Sequence, residues 1–341
     1  MKIEGDLAHI LEHTTAVWEQ IRGKTIFVTG GTGFFGKWLL ESFLYADNKL
    51  SLDARMIVLS RNPEKFLAKN PNYITAHIAF VAGDVSDFIF PVDDIDYIIH
   101  AATEASVSLN IEQPLLMFDT IVNGTRHVLD LARIKRVRSI LHTSSGAVYG
   151  KQPSEMTHIP EHFSGAPDIY EESPSYSEGK RVAEMLSNIY YNSFGVNSKI
   201  ARCFAFVGPF LPLDTHFAIG NFIRNVINGE KIVIKGDGSP FRSYLYASDL
   251  TIWLWNILIF GENCRPYNVG SDQDITIAQL AAEVVACTNN NIKIEILLPE
   301  SDIPVARYVP EVRRAREELN LNIDVSLRDG IKKTIDFYSK Y

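Results

Sequence analysis

Tyr176 and Lys180 lie four residues apart in the run Tyr176-Ser177-Glu178-Gly179-Lys180. At that spacing two side chains share one face of a helix. A phenol is a poor base at neutral pH, because its unperturbed pKa is about 10. An ammonium one turn away favours the phenolate and lowers that value. Such a pair can take a proton from a hydroxyl while a hydride leaves the same carbon. Ser145, upstream, is of the type that orients that hydroxyl and steadies charge developing on its oxygen. A tyrosine and a lysine at this spacing also describe an ordinary surface pair, so the surroundings decide.

A hydride acceptor needs a cradle, and Lys24 to Leu40 (KTIFVTGGTGFFGKWLL) has the form of one. Thr25 to Thr29 reads as a buried strand. Gly30, Gly31, Gly33 and Gly36 follow, and then a helical apolar pattern through Trp38, Leu39, Leu40 and Phe43. Gly30 permits a tight reversal and Gly33 lets backbone N–H groups approach a pyrophosphate. Gly36 lets the helix pack against the strand. The helix N-terminus then faces the phosphates with partial positive charge. A strand-to-helix turn without a ligand has the same spacing, so the motif gains weight only from its context.

That context is a series of strands ending in small or polar residues. Met56 to Leu59 ends in Ser60-Arg61. A carboxylate there suits ribose hydroxyls and an arginine suits a 2′-phosphate, so Arg61 leans the cofactor from NAD toward NADP. The alternative is a surface arginine opening a helix with Pro63 and Glu64. Ile78 to Ala82 ends in Gly83-Asp84-Val85, and Ile95 to His100 runs into Ala101-Ala102. A helix over Pro114 to Lys135 carries Asn123-Gly124-Thr125. A strand at Ser139 to Thr143 ends in Ser144-Ser145-Gly146-Ala147-Val148-Tyr149-Gly150. Strands alternating with helices predict an α/β fold, a Rossmann-type doubly wound parallel sheet with its ligand at the carboxyl ends of the strands.

Residues 151–175 show no period and border the site. A sixth strand is expected over Lys199 to Phe206. Beyond it the pattern shifts to helices at Phe217 to Asn228, Ala247 to Ile259, Ile277 to Cys287 and Val312 to Leu319, with short strands at Lys231 to Lys235 and Tyr267 to Val269. The expected division is a dinucleotide-binding domain over 1–205, with a returning segment near 243–270. A smaller α/β C-terminal substrate domain spans 206–341. Leu7 to Ile21 reads as one short amphipathic helix.

Composition narrows the functions. A net charge of −8 argues against a nucleic-acid partner, which needs cations to release phosphate counterions. Arg313 to Arg316 alternates with Glu311, Glu317 and Glu318 and reads as a solvated helix face. Three widely spaced cysteines give neither a disulfide framework nor a zinc pattern, which suits a reducing cytoplasm. No signal peptide is read at the start, and no apolar run reaches the roughly 18 residues of a membrane span. The nine histidines are read as scattered, so no metal is expected. No G-x-S-x-G nucleophile elbow occurs.

Together these residues resemble the extended short-chain dehydrogenase/reductase superfamily, in its nucleotide-sugar epimerase/dehydratase branch. The matching motifs are GGTGFFG (Gly30 to Gly36), Gly83-Asp84-Val85, HAA (His100 to Ala102), NGT (Asn123 to Thr125), SSGAVYG (Ser144 to Gly150), YSEGK (Tyr176 to Lys180) and GDGSPFRSYLYASDL (Gly236 to Leu250). They cover nearly the whole chain. The resemblance implies an NAD(P)-dependent enzyme with Ser145, Tyr176 and Lys180 as its catalytic set. It implies a dinucleotide site from Gly30, Thr32, Gly33, Phe34, Phe35, Gly36, Ser60, Arg61, Asp84, Val85, Ala101, Ala102, Thr103 and Asn123, with Tyr176 and Lys180 at its reactive end. Asp84 would meet the adenine. For a nucleotide-diphosphate sugar it implies Ser144, Ser145, Asn221, Arg242 and Arg307, the arginines on phosphate. A homodimer is implied through the helices around Asn123 and after Tyr176. Val182, Met185, Leu186 and Ile189 suit that contact, and burial within one chain explains them equally well.

SYSEGKR and Asn221-Phe222-Ile223 look most like the UDP-glucuronate decarboxylases. Dehydratases and decarboxylases of the family carry carboxylates just before the Val-Tyr-Gly triplet, where this chain has Gly146 and Ala147. Ala205 replaces an asparagine that many relatives place on the diphosphate. The expected activity is C4 oxidation to a 4-keto sugar, as in 4-epimerases. The alternatives are an NADP-dependent 4-keto-sugar reductase or dehydrogenase, and a decarboxylase or 4,6-dehydratase with atypical acid/base groups. More remote is a non-catalytic dinucleotide sensor, although sensors of this kind typically lose the tyrosine or the lysine.

Overall fold

The computed structural model describes residues 3–103, 107–171, 173–215, 217–288, 291–299 and 304–339. Seven strands form the main sheet: β1 Thr25–Thr29, β2 Arg55–Ser60, β3 Ile78–Ala82, β4 Tyr97–His100, β5 Ser139–Ser145, β6 Ser198–Cys203 and, after a long excursion, Pro266–Val269. Every pairing is parallel, and the sheet order starts from Pro266–Val269, then β6-β5-β4-β1-β2-β3. Order reverses beside β1, so the crevice between the β1 and β4 ends is the place for a ligand. β5 is buried along its whole length, as a strand covered on both faces must be.

One face of the sheet carries α1 Glu4–His13, α2 Thr15–Ile21 and α3 Phe34–Leu50. The other carries α6 Pro114–Lys135 and α7 Ser175–Phe194, packed on each other; two shorter helices, α4 Pro63–Lys69 and α5 Val107–Glu112, lie between these in the chain. The remaining elements are β7 Phe206–Val207, α8 Ala218–Asn228, β8 Ile232–Ile234, β9 Phe241–Arg242, β10 Leu245–Tyr246, α9 Ala247–Phe260, β11 Pro266–Val269 (the seventh strand), β12 Ile275–Thr276, α10 Ile277–Ala286, β13 Ile294–Ile296, β14 Arg307–Tyr308, α11 Arg313–Leu319 and α12 Leu327–Tyr338. α9 is apolar nearly all round and is buried accordingly beneath α1 and α3. A second core gathers Phe222, Ile223, Val226, Leu280 and Val284 from α8 and α10 with Ile331 from α12.

Three sequence expectations change. The single helix over Leu7 to Ile21 is two, broken at Thr14, whose hydroxyl donates to the Ile10 carbonyl. The sixth strand ends at Cys203, and Phe206–Val207 pairs instead with β10. β5 runs two residues further than expected, so Ser144 and Ser145 belong to the strand.

Candidate active site

At the ends of β1 and β4 the chain is drawn into contact with itself. Gly30 has a φ of 73°, and a Cβ there would lie 2.5 Å from the Ala101 carbonyl carbon. A Cβ on Gly36 would lie 2.3 Å from Gly31, so Gly36 closes the loop onto itself rather than onto the strand. A Cβ on Gly33, the residue before α3, would meet only the Gly30 carbonyl, at 3.4 Å. Open space over the unpaired N–H groups of a helix start is what a diphosphate needs. His100 fixes the floor. It is buried between the Thr29 hydroxyl (2.8 Å) and the Thr125 hydroxyl (3.1 Å), and the Ala102 N–H donates to Thr29 Oγ1 at 3.1 Å. Burial pushes the His100 pKa down to about 3, so it acts as a neutral spacer.

A cleft of about 230 Å³ follows from this packing. Gly30, Thr32 and Gly33 line its phosphate end, and Ala101, Ala102 and Thr103 its floor. Ser60, Arg61, Asp84 and Val85 line the far wall. Asp84 accepts from the Ser86 N–H (3.0 Å) and hydroxyl (2.7 Å). Those bonds, with the nearby Arg61 charge, hold its carboxyl below the usual range. The cradle fits an extended dinucleotide: a bare helix N-terminus at one end and charged groups for a ribose or its phosphate at the other.

Three expected cofactor residues stand elsewhere. Asn123 is exposed on α6, and Thr120, one turn earlier, lines the cleft. The Asn123-Gly124-Thr125 motif serves packing instead: a Cβ on Gly124 would meet Val85 at 2.8 Å, and Thr125 bonds His100. Phe34 and Phe35 turn their rings into the core, Phe35 edge-on to Phe206 at 5.1 Å.

The reactive end hangs from the last residues of β5. Lys180 is buried and donates to the Thr143 carbonyl at 2.8 Å, and burial lowers its pKa to about 8. Its Nζ stands 6.0 Å from the centre of the Tyr176 ring. Burial raises the Tyr176 pKa, and hydrogen bonding to Ser145 opposes the rise. Burial is thus the larger influence on the phenol here, where the Lys180 ammonium is tied to a carbonyl. Asn110 places the start of α7, accepting from the Tyr176 N–H at 3.2 Å and donating to the Ser173 carbonyl at 2.8 Å.

Ser144 departs from expectation. Successive strand residues face opposite sides, and Ser144 points away from Ser145, donating to Glu184 Oε1 at 2.5 Å. Glu184 is paired with Arg202 at 2.7 Å, so this trio buttresses the site from behind. Asn221 donates to the Thr215 carbonyl at 2.7 Å on α8. The two arginines are separated by register. β9 and β14 pair Phe241 with Arg307 and Arg242 with Tyr308, so Arg242 shares a face with Tyr308. Arg307 stacks on Phe241 and pairs with Asp274 at 2.7 Å.

Tyr308 is the residue that sequence reasoning missed. Burial raises its pKa, opposed by hydrogen bonding to Ser145, so Ser145 faces two phenols. A Cβ on Gly146 would come within 2.7 Å of both the Tyr308 hydroxyl and the Phe204 ring. The space a carboxylate would need at position 146 is already filled. A two-residue strand has too little pattern to detect, so only the tertiary pairing reveals this phenol.

The family model for the NAD dependent epimerase/dehydratase family matches residues 26–270. Among relatives, UDP-glucuronic acid decarboxylase 1 of Arabidopsis thaliana is 31% identical over 316 residues, covering 92% of this chain and 70% of that one. UDP-glucuronic acid decarboxylase 5 of the same plant is 30% identical over 90% of this chain and 86% of its own. Among solved structures, the UDP-glucose 4-epimerase of Thermotoga maritima superposes with a TM-score of 0.80 at 23% identity, over 93% of this chain and 99% of that one. The dTDP-glucose 4,6-dehydratase of Streptomyces venezuelae, solved with NAD bound, superposes at 0.78 with 24% identity, over 93% and 97%.

Gly146→Asp is expected to destabilise the chain by about 1–3 kcal/mol, the cost of overpacking a filled site. A urea midpoint unchanged from the parent would show that Phe204 and Tyr308 yield freely.

Proposed function

Because the chain belongs to the NAD dependent epimerase/dehydratase family, we propose that it oxidises C4 of a nucleotide-diphosphate sugar to a 4-keto intermediate and re-reduces it, as a 4-epimerase. The observation that supports this most is the pair Gly146 and Ala147, which bring no carboxylate to the place where dehydratases and decarboxylases carry theirs, with Phe204 and Tyr308 packed against Gly146. Ser145, Tyr176, Lys180 and Tyr308 stand at the reactive end, and these suffice for oxidation and reduction at one carbinol.

Gly30, Thr32, Gly33, Asp84, Ala101 and Ala102 would hold a nicotinamide dinucleotide. When bound, it supplies a hydride acceptor that returns the hydride later. Tyr176 removes the proton from the C4 hydroxyl and gives it back to the 4-keto oxygen. Ser145 donates to that oxygen in both directions. Lys180, when protonated, favours the Tyr176 phenolate. Arg242 lies toward the reactive end beside Tyr308, within reach of a diphosphate.

A second reading rests on Arg61 in the cleft wall, which suits NADP and thus a 4-keto-sugar reductase. Decarboxylation is the third, carried by the names of the sequence relatives. Product analysis separates them. UDP-glucose converted to its C4 epimer with no net change in NAD(H) supports the proposal. Steady loss of added NADPH supports the reductase, and carbon dioxide released from UDP-glucuronic acid supports the decarboxylase.

A homodimer through α6 and α7 is also proposed. Met185 and Ile189, four apart on α7, are 54% and 44% exposed, and Leu115 on α6 is 77% exposed. Leu186 packs inward. Light scattering should give twice the mass of one chain, and a Met185→Asp, Ile189→Asp double variant should give one.

Tyr176→Phe should lower turnover by about 10²–10⁴-fold with dinucleotide affinity unchanged; equal turnover would remove Tyr176 from the chemistry. Because the buried Lys180 loses its proton near pH 8, kcat/KM should fall as pH rises above that value. Lys180→Arg, whose guanidinium stays charged, should shift that limb upward. A parent profile flat from about pH 7 to 10 would contradict the role given to Lys180.

A further inference from the structure

His9 and His13 stand four apart on α1, and the helix places their rings side by side, centroids 4.3 Å apart. Reading the histidines as scattered overlooks this spacing. His13 Nδ1 lies 2.9 Å from the His9 carbonyl oxygen. A carbonyl only accepts, so Nδ1 is the donor in that bond and Nε2 is the nitrogen placed to act as a ligand. His13 Nε2 faces Asp324 Oδ2 at 3.7 Å. His9 Nε2 faces the same oxygen at 3.5 Å and Asp249 Oδ1 at 3.7 Å. His9–Asp249 and His13–Asp324 exceed hydrogen-bond length, and the His9–Asp324 pair sits at its limit.

Asp249 supplies an independent sign that something is to be bound. Its side chain is wholly buried at the start of α9. Its Oδ2 accepts from the N–H groups of Asp324 and Val325, each at 3.0 Å, which also fixes where the Asp324 carboxylate stands. Its Oδ1 has no hydrogen-bond partner among the described residues, and neither does His9 Nε2. A buried carboxylate oxygen left without a hydrogen bond is costly. It stands 3.7 Å from His9 Nε2, and a cation bound at that nitrogen would lie beside it.

We propose that His9, His13 and Asp324, whose ligand atoms lie within 4.8 Å of one another, form a half-buried site for a divalent transition cation of the zinc type, with Asp249 Oδ1 beside His9. Two imidazoles and a carboxylate make a nitrogen–oxygen set suited to zinc and unlike the all-oxygen shells of magnesium or calcium, with water as the fourth ligand. Bonds of about 2.0–2.1 Å to a tetrahedral centre place neighbouring ligands about 3.3–3.4 Å apart. The two spacings to Asp324, 3.5 Å from His9 and 3.7 Å from His13, need to close by only a few tenths of an ångström, and the two imidazoles start within 4.8 Å of each other. His13, hydrogen-bonded to the backbone through its other nitrogen, has the outer-shell support such ligands usually carry. The bound cation would clasp α1 to the segment leading into α12, beside the start of α9 and away from the reactive end.

The test is titration of the full chain, stripped with EDTA and exchanged into chelator-free buffer, with Zn²⁺ and with Co²⁺. Saturable one-to-one binding is expected, with the intense visible absorption of four-coordinate Co²⁺ and a melting temperature that climbs with Zn²⁺ concentration. Mg²⁺ should leave the melt unmoved. His13→Ala removes one ligand from an exposed position; it should melt like the parent in EDTA and bind Zn²⁺ about tenfold or more weakly. Asp324→Asn, which keeps the backbone N–H held by Asp249, should weaken binding likewise. Absence of saturable Zn²⁺ binding in the parent, or equal affinity in parent and both variants, would overturn the site. An equal response to Mg²⁺ would overturn the assigned class of cation.

Discussion

The last three residues of β5 are the constraint on which the reactive end depends. β5 is buried on both faces, so its backbone cannot shift and its side chains alternate strictly. The Thr143 carbonyl takes the Lys180 ammonium, Ser144 turns back to the Glu184–Arg202 pair, and Ser145 turns forward to Tyr176 and Tyr308. Gly146 then ends the strand against Phe204 and Tyr308. One register thus sets the lysine, the hydroxyl and both phenols. A slip of a single residue would bring Ser144 or Gly146 forward in place of Ser145 and turn Ser145 to the Glu184 side.

Burial also decides the charges there. His100 and Cys203 are held neutral, and the Lys180 pKa is brought down to about 8. Close behind, the Glu184–Arg202 pair is held by several hydrogen bonds, as a charge pair in low dielectric must be. The Tyr308 phenol comes from the other core, through pairing of β14 with β9 and through the Ile159 N–H bonded to the Val309 carbonyl at 2.9 Å. The reactive centre is shared between the sheet and the C-terminal layer, the usual place for a substrate to be gripped by both.

Much of this was legible in the sequence, and the reasons divide cleanly. Gly30, Gly33, Asp84, Ala101, Ser145, Tyr176 and Lys180 sit on short local patterns whose geometry is set by neighbours in the chain, so reading them in order puts them at the strand ends and on the helix where the fold has them. Asn123 misleads because a helix turns 100° per residue: Thr120 and Gly124 face the sheet and Asn123 faces out. Ser144 misleads because the strand's end was placed two residues early. Tyr308, and the separation of Arg242 from Arg307, depend on the pairing of two-residue strands far apart in the chain, where no periodicity exists.

The first helix carries a consequence for how the molecule comes together. Asp6, buried on α1, accepts from the Tyr246 hydroxyl and from the Lys333 ammonium, residues 240 and 327 positions further along. α1 and α2 also seat Trp18 against Trp255 of α9. The α1–α2 segment therefore docks on elements synthesised long after it. It must wait, unsheltered, until α9 and α12 have emerged, and ordering it comes late because long loops must close first. The stretch that reads in sequence as one short amphipathic helix is thus a late-closing latch on α9 and α12.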